Sequence, residues 1–199
     1  MKSITLAEGK KLVKIARKIM ETHFSGLDIE MPRLKLLDDE RGIFVTLKKY
    51  PNHELRGCIG YIEGIMPLRK AIREIALSAA FHDTRFSPVR KDEVKHLVVE
   101  VSVLTPPELI NIENTKYYPE EIEIGRDGLI VELYGRKGLL LPQVPVEWKW
   151  NKEQFLSHTC MKAGLAPDSW LNPETKIYKF SAEIFSEEKP CGEIVKGEL

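Results

Sequence analysis

The sequence has few of the metal-binding and disulfide-forming residues on which several protein classes depend. Its 199 residues include three cysteines, Cys58, Cys160 and Cys191, and no C-x-x-C pair. An odd, widely spaced set of this kind predicts free thiols rather than disulfides. The five histidines are scattered, and the ligand spacing of a zinc site is missing. The sequence therefore identifies no metal site, and it leaves the cofactor unassigned.

Long apolar runs and an excess of one charge are missing as well. No stretch reaches the ~18 apolar residues that a membrane-spanning helix needs, and Met1–Ile4 lacks the apolar core of a signal peptide. We therefore expect a soluble, cytoplasmic protein with no membrane partner. Lys+Arg 30 and Asp+Glu 30 cancel to a net charge of +0, which argues against binding nucleic acid by bulk electrostatics.

What the sequence does contain indicates a folded domain of mixed secondary structure. Hydrophobic residues make up 43% and charged residues 30%, a globular composition. Helical periodicity, alternating patterns and turn signals interleave without strict βαβ order, which predicts an α+β fold with a mixed, mostly antiparallel sheet and flanking helices. The predicted helices begin near Leu6, Leu68 and Asn151, and the predicted strands cover 43–47, 54–62, 97–104 and 177–185.

Length and proline positions indicate one domain over residues 1–199 with two unequal lobes. Pro51 and Pro88 bracket a stretch for which we consider a small lobe over residues 50–90, the remainder forming the larger lobe. Two G-R-x-G turns, at Gly125–Gly128 and Gly135–Gly138, predict a β-meander. The polar tail after Ser186 is expected to fray.

The segment Leu55–Gly60 is the most unusual candidate for chemistry. In a regular strand Arg56 and Cys58 share one face, and an arginine close to a thiol favours the thiolate. Gly57 and Gly60 commonly mark a bulge or a close approach by a ligand or backbone. Two interpretations remain open: an anion-binding or nucleophilic site, or a buried cysteine whose neighbouring glycines relieve crowding.

A second candidate lies in the loop after the helix that begins near Leu68. His82, Asp83 and Arg85 bring together an imidazole, a carboxylate and a guanidinium within four positions, enough for proton transfer or anion binding. The alternative is an ion pair between Asp83 and Arg85 that only orders the loop. Farther along, the amide of Gln143 in a Pro-Gln-Val-Pro segment can orient a ligand or cap loose backbone groups.

Taken together, these segments resemble the AMME chromosomal-region protein family, and in particular an archaeal-type member. The resemblance covers nearly the whole chain. The residues that carry it are Leu55–Gly60 (the hexapeptide LRGCIG), Asp83–Pro88, Leu140–Val144, Trp150–Phe155, Cys160 and Lys162–Gly164.

The resemblance implies an α+β fold of two unequal lobes with the hexapeptide lining a groove. It implies no particular reaction. By family association it points to a Memo-like protein and a radical S-adenosylmethionine enzyme as partners in a shared modification pathway, with RNA modification as one suggested role.

Two hypotheses of different class follow. In the first, the chain is an enzyme or enzyme component: Arg56 and Arg85 hold an anionic substrate, Cys58 is the nucleophile or a thiol contact, and His82 or Asp83 moves protons. In this hypothesis Gly57, Gly60 and Gln143 also bind the substrate. In the second, the chain is a non-catalytic binding or adaptor module for a partner protein or RNA, and the arginines are recognition contacts.

Overall fold

A computed structural model describes residues 3–27 and 29–197. The α-helices are α1 Leu6–His23, α2 Leu68–Phe81, α3 Gln143–Glu147 and α4 Lys152–Lys162. The strands are β1 Ile43–Lys49, β2 Glu54–Tyr61, β3 Leu97–Leu104, β4 Glu108–Leu109, β5 Gly128–Leu133, β6 Arg136–Leu140, β7 Lys176–Phe180, β8 Ala182–Glu187 and β9 Ile194–Lys196. Short 3-10 helices cover Lys35–Asp38, Val94–His96, Thr115–Glu121 and Ser169–Leu171.

The chain divides into two compact units of unequal size. Unit 1 takes the described residues up to Leu104 and those from Glu183 onward, and unit 2 runs from Thr105 to Ala182. Unit 1 contains a five-stranded sheet of order β2-β1-β3-β8-β9, and unit 2 a four-stranded sheet of order β4-β7-β5-β6. Both sheets are antiparallel, so the predicted α+β fold is confirmed.

Unit 1 is built around one apolar face of its sheet. Residues 43, 45 and 47 of β1 are fully buried, whereas residues 44, 46 and 48 are only partly buried, as alternation along a strand requires. The helices α1 and α2 bury their apolar stripes in this same core. Helix α1 begins at Thr5 with the predicted capping box, in which the Thr5 hydroxyl and the Glu8 carboxylate satisfy each other's backbone N–H groups.

Residues 50–90, for which the sequence suggested a small lobe, all lie inside unit 1. They supply β2, which is an edge strand of the five-stranded sheet, and α2, which contributes to the unit's core. The loop after α2 belongs to the same unit. The boundary between the units instead falls after Leu104 and before Glu183.

The C-terminal part of the chain differs from the sequence-based expectation in two ways. The single strand predicted over 177–185 is two strands, because Ser181 leaves the ladder and exchanges hydrogen bonds of 2.8 Å with Thr105. The prediction that the tail after Ser186 frays is wrong for its described residues, up to 197, since β9 pairs with β8 and Glu187 is buried. Residues 198 and 199 lie outside the described residues. The polar composition of the tail does not indicate this order, because the tail is stabilised by backbone pairing and one buried ion pair rather than by apolar side chains.

The predicted β-meander is present only in part. The turn at Gly135 joins β5 to β6 as a hairpin, whereas the turn at Gly125 follows a 3-10 helix and joins no hairpin. No helix within residues 3–27 and 29–197 combines the length and the apolar character that crossing a membrane requires.

Candidate functional site

A β-bulge shapes strand β2 at the candidate hexapeptide. Cys58 lies opposite Thr46 and Gly57 opposite Leu47, but Lys48 lies opposite Leu55, which leaves Arg56 as the extra residue. Directly opposite residues share a face of the sheet, so Leu55 rather than Arg56 lies on the same face as Cys58. The expectation that Arg56 and Cys58 share a face is therefore wrong, because the bulge interrupts the alternation on which it rested.

The guanidinium of Arg56 is buried and already bound to a carboxylate. Its Nε donates to Oε1 of Glu93 at 2.6 Å, and its Nη2 donates to Oε2 at 3.1 Å. Burial would raise the pKa of Glu93, but the hydrogen bonds from Arg56 and from the backbone N–H of Arg90, with the charges of both arginines, together outweigh burial and the pKa is lowered. Arg56 thus acts within the protein as the partner of Glu93, and a bound anion would have to compete with that carboxylate.

The two glycines of the hexapeptide allow close packing around β2. A Cβ on Gly57 would lie 2.1 Å from the carbonyl oxygen of Ala79 in α2. A Cβ on Gly60 would lie 2.3 Å from the ring of Phe44 and 2.5 Å from a backbone oxygen of β1. Close approach of backbone and ring accounts for both glycines, and contact of either with a ligand stays a prediction.

Asp83 and Arg85 cap the outer edge of β2 at Cys58. The backbone N–H of Cys58 donates to Oδ2 of Asp83 at 2.9 Å, and Nη2 of Arg85 donates to the carbonyl oxygen of Cys58 at 3.1 Å. Arg85 also binds Asp83 with two guanidinium hydrogen bonds, of 3.0 and 2.7 Å. The two side chains thereby satisfy backbone groups that an edge strand otherwise presents to another strand.

These contacts fix the charge states of the pair. The guanidinium of Arg85 holds the pKa of Asp83 well below its usual range, against the opposing effect of burial, and the N–H groups of Cys58 and Arg85 act in the same direction. The bond to Asp83 in turn raises the pKa of Arg85. Asp83 is buried while more than half of the Arg85 side chain is exposed, so the pair presents its positive member to solvent.

The exposed guanidinium of Arg85 lies at the backbone of Cys58, because its Nη2 donates to the carbonyl oxygen of that residue. Cys58 is half-buried, and the hydroxyl of Thr46 donates to its Sγ at 3.3 Å. A thiolate at Cys58 would further raise the pKa of Arg85, because the two charges are close enough to interact. We call the area formed by Thr46, Cys58 and Arg85 the Cys58–Arg85 surface.

The other two cysteines lie in different surroundings. Cys160 is fully buried in the core of unit 2, and burial raises the pKa of its thiol to about 11. Cys191 is exposed. Within the part of the chain that the structure describes, no group of three or more His, Cys, Asp or Glu side chains has a geometry suited to a metal ion.

His82 and Gln143 are not part of the Cys58–Arg85 surface as the described residues form it. His82 is exposed at the end of α2, where its backbone N–H donates to the carbonyl oxygen of Ser78. Its imidazole makes no hydrogen bond, ion pair or ring contact with the described residues. Gln143 is the exposed first residue of α3 in unit 2. Catalytic or substrate-binding roles for these two residues stay predictions.

Comparison with known proteins identifies the family. The AMMECR1 family model matches residues 13–185. Protein MJ0810 of Methanocaldococcus jannaschii is 50% identical over 100% of both chains, and protein MK0488 of Methanopyrus kandleri is 52% identical over 98% of this chain and 96% of its own. The crystal structure of the uncharacterized protein PH0010 from Pyrococcus horikoshii superposes with a TM-score of 0.81 at 51% identity, covering 96% of this chain and 97% of that one.

The chain belongs to the AMMECR1 family. The resemblance drawn from the sequence is thereby confirmed, and the relatives compared here are archaeal proteins with locus-style names. The family assignment and the PH0010 structure support the fold; they assign no reaction.

Three residues of this AMMECR1-family site escaped the sequence analysis. Thr46 lies opposite Cys58, and the hairpin register of β1 and β2 would have revealed it had the bulge been foreseen. Glu93 lies 37 positions after Arg56 and has no local signal. Both guanidinium groups lie near the ring of Phe86, with Cζ of Arg56 5.9 Å and Cζ of Arg85 5.5 Å from its centroid. Only the folded loop creates these cation–π contacts.

Proposed function

We propose that this AMMECR1-family chain is a binding component of a modification pathway, and that it recognises an anionic group of its partner or substrate at the Cys58–Arg85 surface. The observation that carries the proposal is the exposed guanidinium of Arg85, which is held by Asp83 and by the carbonyl oxygen of the half-buried Cys58. The Nη1 group of Arg85 donates to none of the described residues. A carboxylate or phosphate is the group that such a guanidinium edge binds.

Binding is favoured over turnover because the groups that would move protons are unsuited to it. Asp83 accepts hydrogen bonds from Cys58 and Arg85 and has a strongly lowered pKa, so it stays an anion at neutral pH and serves poorly as a general acid or base. No histidine in the described part of the chain is bonded to Cys58. Positive charge held rigidly by Asp83 is instead the arrangement expected of a recognition contact.

The Memo-like protein and the radical S-adenosylmethionine enzyme associated with the family are the proposed partners. The experiment is isothermal titration calorimetry of each against the wild-type chain and Arg85→Gln, with Arg90→Gln as matched control, since Arg90 is an exposed arginine paired with Asp92. We expect Arg85→Gln to weaken binding by about tenfold, or 1.4 kcal/mol, and Arg90→Gln to bind as the wild type does. Equal affinity of all three proteins would contradict the proposal.

Substitution of Arg85 can remove two things: its contacts with Asp83 and with the backbone of β2, and its contact with the partner. The two effects must be separated. Arg85→Lys keeps the positive charge but not the two-pronged bond to Asp83. If recognition depends on charge, Arg85→Lys retains most of the affinity that Arg85→Gln loses. Thermal unfolding of both variants shows whether either has lost its fold.

A second function, an enzyme with Cys58 as nucleophile, is favoured by one specific observation. The Thr46 hydroxyl donates to Sγ of Cys58 and the Arg85 guanidinium binds the carbonyl oxygen of the same residue, so the half-buried thiol lies among polar groups of the kind that surround a nucleophile. Cys58→Ala separates the two functions. A binding protein keeps its partner affinity and its contribution to the pathway in this variant, whereas an enzyme keeps its affinity but loses the modification reaction.

A further inference from the structure

A furrow runs along one side of α1, away from the residues discussed so far. Its central cavity has a volume of about 570 Å³. The central cavity shares Lys11 with a cavity of about 520 Å³ toward the start of α1, and it shares Thr22, Leu27 and Ile29 with one of about 240 Å³ toward its end. The three cavities therefore adjoin. We call this depression, between α1 and the described residues from Gly26 to Arg41, the α1 furrow.

The rim of the α1 furrow carries lysines that pair with no acidic side chain among the residues that the structure describes. Lys11, Lys14 and Lys18 are exposed and line the central cavity, and their spacing of three and four positions places them on the same side of the helix. None of the three forms an ion pair with a described residue. Lys10 and Arg17 of the same helix do have acidic partners, so the rim lysines are distinct within α1.

The floor and far wall of the α1 furrow are aliphatic. Ile15, Ile29 and Pro32 line the central cavity, and Leu27 stands in its wall with 66% of its surface exposed. A single exposed leucine is ordinary on a protein surface. An exposed leucine in the wall of an apolar cavity with a basic rim is typical of a binding groove. Glu30 is the one acidic side chain among the described lining residues of the central cavity.

We propose that the α1 furrow docks an extended segment of a partner protein that alternates carboxylates with apolar side chains. The carboxylates pair with the rim lysines, and the apolar side chains fill the aliphatic floor. The 18 residues of α1 give the furrow a length of about 27 Å. A strand rises about 3.3 Å per residue, so about eight residues of the partner fit along it.

The surroundings of the furrow favour a peptide over a membrane or a nucleic acid. The apolar stripe of α1, including Leu12, Val13 and Ala16, is buried in the core, so the helix cannot insert that stripe into a bilayer. The described lining of the central cavity contains no aromatic ring on which a base could stack. An acidic, apolar peptide satisfies both the rim and the floor.

A random dodecapeptide library displayed on phage provides a direct test. The wild-type chain is the target for selection, and the enriched peptides are then measured by fluorescence anisotropy at about 150 mM salt, where weak surface attraction is screened. We expect the enriched sequences to contain carboxylates interspersed with apolar residues. Their affinity should fall by about tenfold or more for Lys14→Glu/Lys18→Glu, and also for Leu27→Ser, which removes an exposed apolar contact.

The matched control is Lys70→Glu/Lys91→Glu, which changes the net charge equally at exposed lysines outside the furrow. This variant should bind the selected peptides as the wild type does. Peptides that bind both double variants equally, or a selection without acidic sequences, would overturn the proposal. Anionic phospholipid vesicles and a single-stranded RNA are tested in parallel. Binding of either that is lost in Lys14→Glu/Lys18→Glu, without peptide binding, would assign the furrow to that ligand instead.

Discussion

At the scale of the residue, Asp83 is a structural anion. Its carboxylate accepts the backbone N–H groups of Cys58 and Arg85 as well as two bonds from the Arg85 guanidinium. The same bonds keep it charged and fix the position of Arg85. The two residues therefore work as one unit: the buried carboxylate orients, and the exposed guanidinium is available to bind.

The depressed pKa of Asp83 makes stability depend on pH. The unfolded chain takes up a proton near the ordinary carboxyl pKa of ~4 while the native state does not, so stability is present above that range and is lost as the pH falls below it. Asp83→Asn should cost about 2 kcal/mol at neutral pH, and its deficit relative to the wild type should shrink below about pH 4. Urea unfolding at a series of pH values measures this.

The control for this prediction is Asp92→Asn, at an exposed carboxylate whose partner Arg90 is also exposed. It should change stability little at any pH. A deficit of Asp83→Asn that stays constant down to pH 2 would show that the carboxylate charge contributes nothing to folding.

Thiol reactivity provides a second prediction at this scale. Cys160 is fully buried and burial raises its pKa to about 11, whereas Cys191 is exposed. In the folded protein iodoacetamide should label Cys191 and leave Cys160 unmodified, and denaturant should make both reactive. Peptide mass spectrometry resolves the two sites. Labelling of Cys160 under native conditions would mean that the core of unit 2 opens readily.

The sequence predicted several members of this site but not how they are joined. The hexapeptide and the loop residues Asp83 and Arg85 were recognised from residue type and position. The partner of Arg56 was not, because Glu93 is distant in sequence and the bulge that turns Arg56 away from Cys58 has no signature beyond a neighbouring glycine. Such side-chain pairings depend on tertiary contacts, and these cannot be predicted from the alternation of residues along a strand.

At the scale of the element, the packing of α2 against β2 depends on Gly57. Any side chain there would place a Cβ 2.1 Å from the carbonyl oxygen of Ala79. The backbone of α2 cannot move aside as easily as a flexible side chain could. The position of α2 in turn sets the loop that carries Asp83 and Arg85. One glycine in the strand thus governs the geometry of the Cys58–Arg85 surface.

Gly57→Ala is therefore expected to lower the free energy of unfolding by about 1–3 kcal/mol through overpacking. Urea unfolding measures the loss. Gly197→Ala is the control, since the nearest neighbour of its Cβ would be the Cγ2 methyl of Ile184 at 3.0 Å, a contact that a shift of a few tenths of an ångström relieves. Equal stability of Gly57→Ala and the wild type would mean that α2 moves away from β2 at little cost.

The sequence predicted the positions of helices and strands better than it predicted which strands pair in each sheet. The capping box at Thr5 and the apolar stripe of α1 are local signals, and both are present. The division of the last predicted strand at Ser181 is not local, because alternation continues through β7 and β8 while their sheets differ. The alternation of apolar and polar residues indicates which residues are extended, but it does not indicate which strand they pair with.

At the scale of the whole molecule, one buried ion pair fastens the C-terminal strands of unit 1 to the first helix. Arg17 binds both carboxylate oxygens of Glu187 at 2.5 Å and donates to the carbonyl oxygen of Leu97. Glu187 also accepts the backbone N–H of Val99 at 3.0 Å. Burial would lower the pKa of Arg17, but the hydrogen bond that it donates to Glu187 and the nearby negative charges of Glu187 and Glu21 act together against burial, and the pKa is raised.

Removing this carboxylate leaves a buried guanidinium unpaired. Glu187→Gln should therefore lower stability by about 3–5 kcal/mol, measured by urea unfolding with far-UV circular dichroism. The adjacent Glu188→Gln is the matched control, because Glu188 is exposed and its replacement should change stability little. Similar stability of the two variants would show that the pair contributes little to the fold.

The claim that the Cys58–Arg85 surface attracts anions is tested most directly by site-resolved alkylation with two reagents. Iodoacetate is an anion and iodoacetamide is neutral, so the ratio of their rates at one cysteine reports the local potential. We predict that Arg85→Gln lowers this ratio at Cys58 by about threefold or more and leaves it unchanged at the exposed Cys191. An unchanged ratio at Cys58 would contradict the account, because Arg85 would then have no influence on anions at the thiol.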